Sequence, residues 1–172
     1  GYQYDEAGNL LVKTDARGVS AHFSYDAFNR LTRRWYNGSN SVSAAAHNSP
    51  ALPAGVGASN EANFFYDVQS LPSGAPSFTR GAANGRLAAV TYGTNSSTGD
   101  YAGYDSAGRN ILKIQQTGNV NYAMSVVLNV AGAPTLMVYP SGHTVTYEYD
   151  VAGRSSSVVG NLGDGTTRNY AT

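Results

Sequence analysis

The sequence predicts an all-β protein, an antiparallel meander of repeated strand-turn units of about ten residues each, in a single segment that covers residues 1–172. Three observations predict this class. A Tyr-Asp pair recurs along the chain, a turn signature follows each pair, and the residues between turns alternate in polarity with a period of two. Twenty glycines and many Ser, Thr and Asn residues also disfavour helix.

The Tyr-Asp pair marks a repeating unit of about 21 residues. The pair occurs at Tyr4-Asp5, Tyr25-Asp26, Tyr66-Asp67, Tyr104-Asp105 and Tyr149-Asp150, and Leu128-Asn129 takes its place in a degenerate copy. Two intervals are about twice as long as the others, which indicates doubled units or insertions. We interpret the pair as a structural device, in which Tyr packs between turns and Asp closes the turn that follows.

The residues after each pair are those of a β-turn. An Asp or Asn at the first turn position accepts a hydrogen bond from the backbone two residues on, and a Gly at the fourth position supplies a left-handed φ. The fourth positions are Gly8, Asn29, Gly85, Gly108, Gly132 and Gly153, which belong with Asp5, Asp26, Asp67, Asp105, Asn129 and Asp150. A second set of turns lies half a unit away, at Asp15 to Gly18 and at Pro140 to Gly142, with weaker versions at Gly118 and Gly163.

The segments between the turns read as strands. Val19, Ala21, Phe23 and Tyr25 fall on one face of such a strand, and serines and a histidine fall on the other. About thirteen strands of this kind in one open sheet exceed the ~10 that twisted sheets tolerate before they curl. We therefore expect a curved or spiralling strip.

Two stretches interrupt the rhythm. Residues 37–63 are mostly Ala, Ser, Asn, Gly and Pro and are predicted to form a long surface loop. Residues 68–84 contain Pro72, Gly74, Pro76 and Gly81, which keep them from continuing as a central strand. Each stretch is interpreted as an insertion at a permissive turn tip, and the alternative is a contact loop for a partner.

Composition excludes several classes of function. The formal net charge is zero, which argues against nucleic acid and anionic membranes as partners, and no apolar run is long enough to span a membrane. The absence of cysteine excludes disulfides, thiolate metal sites and a cysteine nucleophile. His22, His47 and His143 are far apart, and an Asp that is committed to turn amides is a poor base. We predict no catalytic residue, no cofactor and no metal site, and hence no enzyme.

These repeats resemble the Rhs or YD-repeat family of bacterial polymorphic toxins, Tc toxins and animal teneurins. The family pattern is roughly Gly, several alternating residues, Tyr-Asp, two variable residues and Gly-Arg-Leu. It matches at Tyr4-Asp5 with Gly8-Asn9-Leu10, Tyr25-Asp26 with Asn29-Arg30-Leu31, Gly85-Arg86-Leu87, Tyr104-Asp105 with Gly108-Arg109, and Tyr149-Asp150 with Gly153-Arg154. The stretch from Tyr139 to Asp150 is especially similar. The likeness covers the chain apart from 37–63 and most of 68–84, and the chain reads as a fragment of a longer array.

The resemblance implies a structural role. Members of this family form a β-sheet strip that winds into a shell, and in the toxins that shell encloses an effector domain. The implied partners are flanking repeats and an enclosed effector domain of the parent protein, and the implied location is secreted or at the bacterial cell surface. Uncapped sheet edges also predict edge-to-edge self-association.

A cell-surface carbohydrate-binding or adhesion module is the alternative function. It would contact glycans through tyrosine-rich sheet faces and the two long loops, because Tyr and Trp offer flat stacking surfaces for sugars. Arg33, Arg34, Trp35 and Tyr36 form a basic and aromatic cluster that is able to stack on a sugar or a base, although strand alternation favours Trp35 against the sheet and Arg34 in solvent. Glycans are the ligands that this alternative predicts.

Overall fold

The computed structural model describes residues 1–37, 61–93 and 97–171. Thirteen strands form one sheet, and each strand pairs antiparallel with the next along the chain. The strands are β1 Tyr2–Tyr4, β2 Leu10–Thr14, β3 Ser20–Tyr25, β4 Leu31–Asn37, β5 Ala62–Tyr66, β6 Leu87–Tyr92, β7 Gly99–Tyr104, β8 Asn110–Thr117, β9 Val120–Leu128, β10 Pro134–Val138, β11 Thr144–Tyr149, β12 Ser155–Asn161 and β13 Thr167–Ala171. The predicted all-β meander is confirmed.

The turns fall into two rows, one at each side of the strip. The row that follows the Tyr-Asp pairs and Leu128-Asn129 is called the Tyr-Asp turn row. The opposite row contains the turn from Asp15 to Gly18 and the tight turn at Gly118 and Asn119, whose φ angles are +56° and +67°. The predicted loop at 37–63 connects β4 to β5 along the chain, and most of it falls outside the described residues. Strand β5 begins at Ala62, within the last residues of that prediction.

A register shift accompanies every Tyr-Asp pair. The pairing slips at the tyrosine in each case, at Tyr4, Tyr25, Tyr66, Tyr104 and Tyr149. A β-bulge of this kind bends its strand and increases the local twist. Because these bulges all lie in one row, they deform one side of the strip in the same way at each unit.

The two faces of the sheet differ in composition. Directly paired residues share a face, so the pairs Tyr2–Lys13, Lys13–Ala21 and Ala21–Tyr36 place two tyrosines and a lysine together. The same reasoning, applied strand by strand, puts every strand tyrosine of the described residues except Tyr101 on this face. They are Tyr2, Tyr4, Tyr25, Tyr36, Tyr66, Tyr92, Tyr104, Tyr122, Tyr147, Tyr149 and Tyr170. We call it the tyrosine face.

The opposite face carries the segment 68–84, which we call the strap. The strap folds back over β6, β7 and β8 instead of projecting from the turn tip. Leu71, Ala75 and Phe78 of the strap pack against a buried cluster centred on Tyr101 and Ile114. This side of the sheet is called the strap face, and the cluster is its hydrophobic core.

Backbone contacts fix the strap in place. The backbone N–H of Tyr104 donates to the Arg80 carbonyl over 2.9 Å, and Gly81 forms an isolated parallel bridge with Tyr104. On the other side of the cluster, the side-chain amide of Gln116 donates to the Gly74 carbonyl over 2.9 Å. The strap is therefore an ordered layer on the sheet.

Candidate functional site: the Tyr-Asp turn row

Each turn of the Tyr-Asp row is closed by its own aspartate, or by an asparagine in the degenerate copy. In the turn after β7, the Gly108 N–H donates to the Asp105 carbonyl over 2.9 Å. One oxygen of the Asp105 carboxylate accepts from the backbone N–H groups of Ala107 and Arg109, at 3.0 and 2.9 Å. The second oxygen accepts from Arg109 Nε at 2.6 Å. The carboxylate is thus occupied by groups of its own turn.

The same arrangement recurs along the row. Asp5, Asp26 and Asp150 each accept from the backbone N–H four residues on. Asn129 of the degenerate copy does the same for Ala133, at 2.9 Å. In the turn interrupted by the strap, Asp67 accepts from the Gly85 N–H, and its own N–H donates to the Arg86 carbonyl over 3.0 Å. Asn29 takes the glycine position of its turn with a φ of +59°.

The tyrosines connect each turn to the preceding one. Their hydroxyls donate to the carbonyl of the first residue of the neighbouring strand that precedes them. These bonds are Tyr25 to Leu10 at 3.1 Å, Tyr66 to Leu31 at 3.0 Å, Tyr104 to Leu87 at 2.8 Å and Tyr149 to Pro134 at 2.8 Å. The ring of each tyrosine therefore spans the gap between adjacent turns.

In several turns of the row, the residue after the fourth turn position reaches forward to the next turn. Arg30 Nε binds its own Asp26 at 2.7 Å, and its Nη2 binds Asp67 of the next turn at 3.0 Å. Arg109 Nη1 donates to the Asn129 carbonyl of the next turn at 2.9 Å. Asn9 is the shorter counterpart, and it donates both to Asp5 and to Asn29.

Arg86 contacts the next turn at Gly108, where glycine suits both the left-handed backbone and the close guanidinium. Its guanidinium lies so close to Gly108 that a Cβ there would come within 2.1 Å of Arg86 Nη2, and the φ of Gly108 is +76°. Arginine cations also lie over the tyrosine rings, with Arg30 at 4.4 Å from the centre of Tyr66 and Arg86 at 5.7 Å from that of Tyr104. The row is thus a continuous chain of contacts in which one turn positions the next.

Sequence reasoning identified the turn residues but missed this forward contact. The repeated Arg or Asn after the turn glycine was the available signal. A charged side chain at a fixed place in each unit indicates a contact at the unit repeat, although its partner cannot be read from spacing alone.

These contacts lower the pKa of the carboxyls. The pKa of Asp105 lies below its ordinary value of 3.8 because the Arg109 backbone N–H and then its side chain stabilise the carboxylate. The Arg30 guanidinium lowers the pKa of Asp67, and the Asn9 side chain lowers that of Asp5. In the opposite row, the Arg168 side chain lowers the pKa of Asp164 to about 2. Carboxylates that are held ionised and hydrogen-bonded in this way are weak bases.

We expect acid to destabilise the sheet. The ordinary pKa of such a carboxyl is 3.8, and its pKa in the folded chain is lower. Its ionised form therefore stabilises the fold at pH values above 3.8. This contribution is lost as pH falls from that value through the folded pKa, because over this range the unfolded chain binds protons that the folded carboxylates do not yet accept. The unfolding midpoint should stay nearly level from pH 7 to about pH 4 and then fall toward about pH 2. A flat midpoint across the acid range, followed by circular dichroism, would contradict this expectation.

Substitutions at Asp105 separate the two roles of its carboxylate. Asp105→Asn keeps an acceptor for the turn amides, as Asn129 does naturally, but loses the ion pair with Arg109. Asp105→Ala loses both. We expect the alanine variant to lower the thermal midpoint by several degrees and the asparagine variant by roughly half as much. Equal midpoints for the two variants would show that the turn amides do not depend on this side chain.

Trp35 and Arg33, from the basic and aromatic cluster of the sequence, contact other side chains of the same chain. The Trp35 indole stacks on His22 with ring centres 5.2 Å apart, and the Arg33 guanidinium lies 4.7 Å from the indole centre. Arg33 also forms a two-pronged ion pair with Glu61 at 2.9 and 2.8 Å. Within the described residues, no group of three or more His, Asp or Glu side chains is placed to hold a metal ion, and no helix long enough to cross a membrane occurs.

The fold and the turn row define a class: a repeat protein made of one open antiparallel β-sheet, with consecutive units connected through their turns. Residues 4–34 match the family model described as RHS Repeat. No curated protein matches the chain. The chain carries an RHS repeat, and the resemblance to the Rhs or YD-repeat family is confirmed.

Solved structures show the same fold. The crystal structure of TcdB2-TccC3 without its hypervariable C-terminal region matches 98% of this chain with a TM-score of 0.61 and 14% identity. The crystal structure of TcdB2-TccC3-Cdc42 matches with the same values, and that of TcdB2-TccC3-TEV has a TM-score of 0.60 and 12% identity. This chain spans 8% of the length of each of those chains.

Proposed function

We propose that this chain is a structural, non-catalytic segment of an Rhs-type shell, and that the shell encloses an effector domain of the parent protein. The observation that carries the proposal is the Tyr-Asp turn row, in which side chains that elsewhere serve as acids, bases or metal ligands are used to join one turn to the next. A strip built in this way acts mechanically, because it separates what lies on one side from solvent and proteases on the other.

The partners follow from the architecture. The outer edges of β1 and β13 carry backbone groups without a neighbouring strand in the described chain, and flanking repeats or a second copy would pair there. The likeness to a TcdB2-TccC3 structure whose printed description names a hypervariable C-terminal region supports a variable domain as the cargo. Secretion, or display at the bacterial surface, belongs to the same proposal by resemblance.

Protection from protease tests the enclosure. The parent protein, expressed from its own reading frame, is treated with a nonspecific protease, and the region downstream of the repeats is followed by mass spectrometry. We expect that region to survive longer than it does when it is expressed alone. Cleavage at equal rates in the two samples would refute enclosure.

The carbohydrate-binding alternative gains less support. The ring that suits sugar stacking best, Trp35, already has His22 and Arg33 against it. Several tyrosine hydroxyls of the turn row are likewise engaged with backbone carbonyls. Glycan binding would have to displace contacts that hold the sheet together.

A further inference from the structure

A shallow apolar groove lies on the sheet at β6, β7 and β8. Its volume is about 180 Å³, and Val90 and Ala102 stand at its floor on the tyrosine face, next to the fully buried Ala88. Small side chains at these positions leave room where the neighbouring strands carry tyrosines. A cavity of roughly 150 Å³ accommodates a benzene-sized group, so this groove has room for one branched aliphatic or aromatic side chain.

The rim of the groove is polar and charged. Lys113 stands on the rim beside Ala102, is exposed, and takes part in no ion pair within the described chain. Asp100 also lines the groove, as the diagonal neighbour of Lys113 on the adjacent strand, and its Oδ2 accepts a hydrogen bond from the Tyr92 hydroxyl at 3.1 Å. The groove therefore offers one unpaired cation and one carboxylate that is already in use.

The described strands place more cations than carboxylates on the tyrosine face. Lys13 and Arg34 share the tyrosine face, where their cationic groups lie 6.0 and 5.9 Å from the ring centres of Tyr2 and Tyr36. Asp100 is the sole carboxylate that the described strands place on this face, because Glu148 lies on the strap face. An approaching chain meets aromatic rings and positive charge here, which favours carboxylates on that chain.

The strap forms a packed layer behind the groove. On the reverse side of the same three strands, Tyr101 and Ile114 are buried under Leu71 and Phe78. Tyr101 is 1% exposed and Ala88 is fully hidden, so these strands form the most tightly packed part of the described chain. A site held open by a packed layer behind it does not have to form when its ligand arrives, and this reduces the cost of binding.

We propose that the tyrosine face is the side of the strip that contacts the enclosed chain, and that the groove seats an apolar side chain of an extended, acidic polypeptide segment. The inference rests on the proposed function for the identity of that segment. The apolar and acidic character of the segment is inferred from the groove floor, from Lys113 and from the charge of the tyrosine face.

Short labelled peptides test the groove on the intact 172-residue chain. Three extended Gly and Ser peptides carry Asp-Leu-Asp, Asp-Ala-Asp or Lys-Leu-Lys at the centre, and binding is measured by fluorescence anisotropy. We expect the first peptide to bind about tenfold more tightly than either of the others, because it alone supplies both the apolar side chain and the carboxylates. Equal affinity for the three peptides would overturn the inference.

Two variants locate the site. Lys113→Glu, at an exposed position, should reverse the preference so that the Lys-Leu-Lys peptide binds better. Ala102→Ile fills the groove and should abolish the advantage of Leu over Ala in the peptide. The matched control is Ala123→Ile, an exposed alanine on the strap face of β9, which should leave all three affinities unchanged. An unaltered charge preference in Lys113→Glu would also overturn the inference.

The outcomes distinguish this inference from the proposed function. Selective peptide binding together with an unprotected parent protein would leave a peptide-binding face without an enclosure. A protected parent whose repeats show no peptide preference would leave the enclosure standing and remove the groove from it.

Discussion

Replacing Tyr101 with alanine is expected to lower the free energy of unfolding by ~3–5 kcal/mol. Tyr101 is the largest fully buried side chain of the described residues, with 1% of its surface exposed. Its ring meets Phe78 of the strap edge to face, with centres 5.8 Å apart. Removing the ring leaves a cavity between the sheet and the strap, and urea unfolding followed by circular dichroism measures the loss.

Two further variants show where this effect comes from. Tyr101→Phe keeps the ring but removes the hydroxyl that donates to Gln116 Oε1 over 3.1 Å, and it should cost about 1–2 kcal/mol. Tyr122→Ala truncates a tyrosine that is 49% exposed on β9 and should cost less than ~1 kcal/mol. Similar losses for Tyr101→Ala and Tyr122→Ala would mean that the strap does not form a core with the sheet.

Replacing Gly81 with alanine is expected to detach the strap at the cost of about 2–4 kcal/mol. Gly81 has a φ of +62°, and a Cβ at this position would lie 1.8 Å from the Tyr104 carbonyl oxygen. The backbone must move away to relieve this overlap, which breaks the contact between Arg80 and the Tyr104 N–H. Limited digestion with trypsin and mass spectrometry should show faster cleavage after Arg80.

Gly118→Ala is the matched control for the backbone. Gly118 has a similar φ of +56°, but nothing lies within 4 Å of a Cβ there. It should cost about 1 kcal/mol from the left-handed conformation alone and should leave cleavage after Arg80 unchanged. If both glycine variants release the strap equally, the contact with Tyr104 is not what holds it.

Local patterns predicted the strands and the turns because both depend on neighbouring residues. The alternation from Val19 to Tyr25 is a property of a single strand, and the Asp105 turn closes on residues within four positions of it. Backbone hydrogen bonding between consecutive strands then follows from short turns, since antiparallel neighbours need only a few residues to connect them.

Contacts between units could not be predicted in the same way. Arg30 and Asp67 are 37 residues apart, and they meet because β4 and β5 pair across a segment of unpatterned sequence. The strap posed a related difficulty. Leu71 and Phe78 were the signal that it has an apolar side, but Pro and Gly between them removed any periodicity that would have indicated which face of the sheet they cover.

The turn that the strap interrupts closes even though residues 68–84 separate its two sides in the sequence. Asp67 meets Gly85 and Arg86 across a long excursion, much as the other aspartates meet residues a few positions ahead. The hydrogen bonds that close this turn therefore do not depend on the length of the chain segment that joins its two sides. New chain termini introduced within the excursion would leave two fragments that each carry one side of this turn, so the molecule is suited to reassembly from separately made halves.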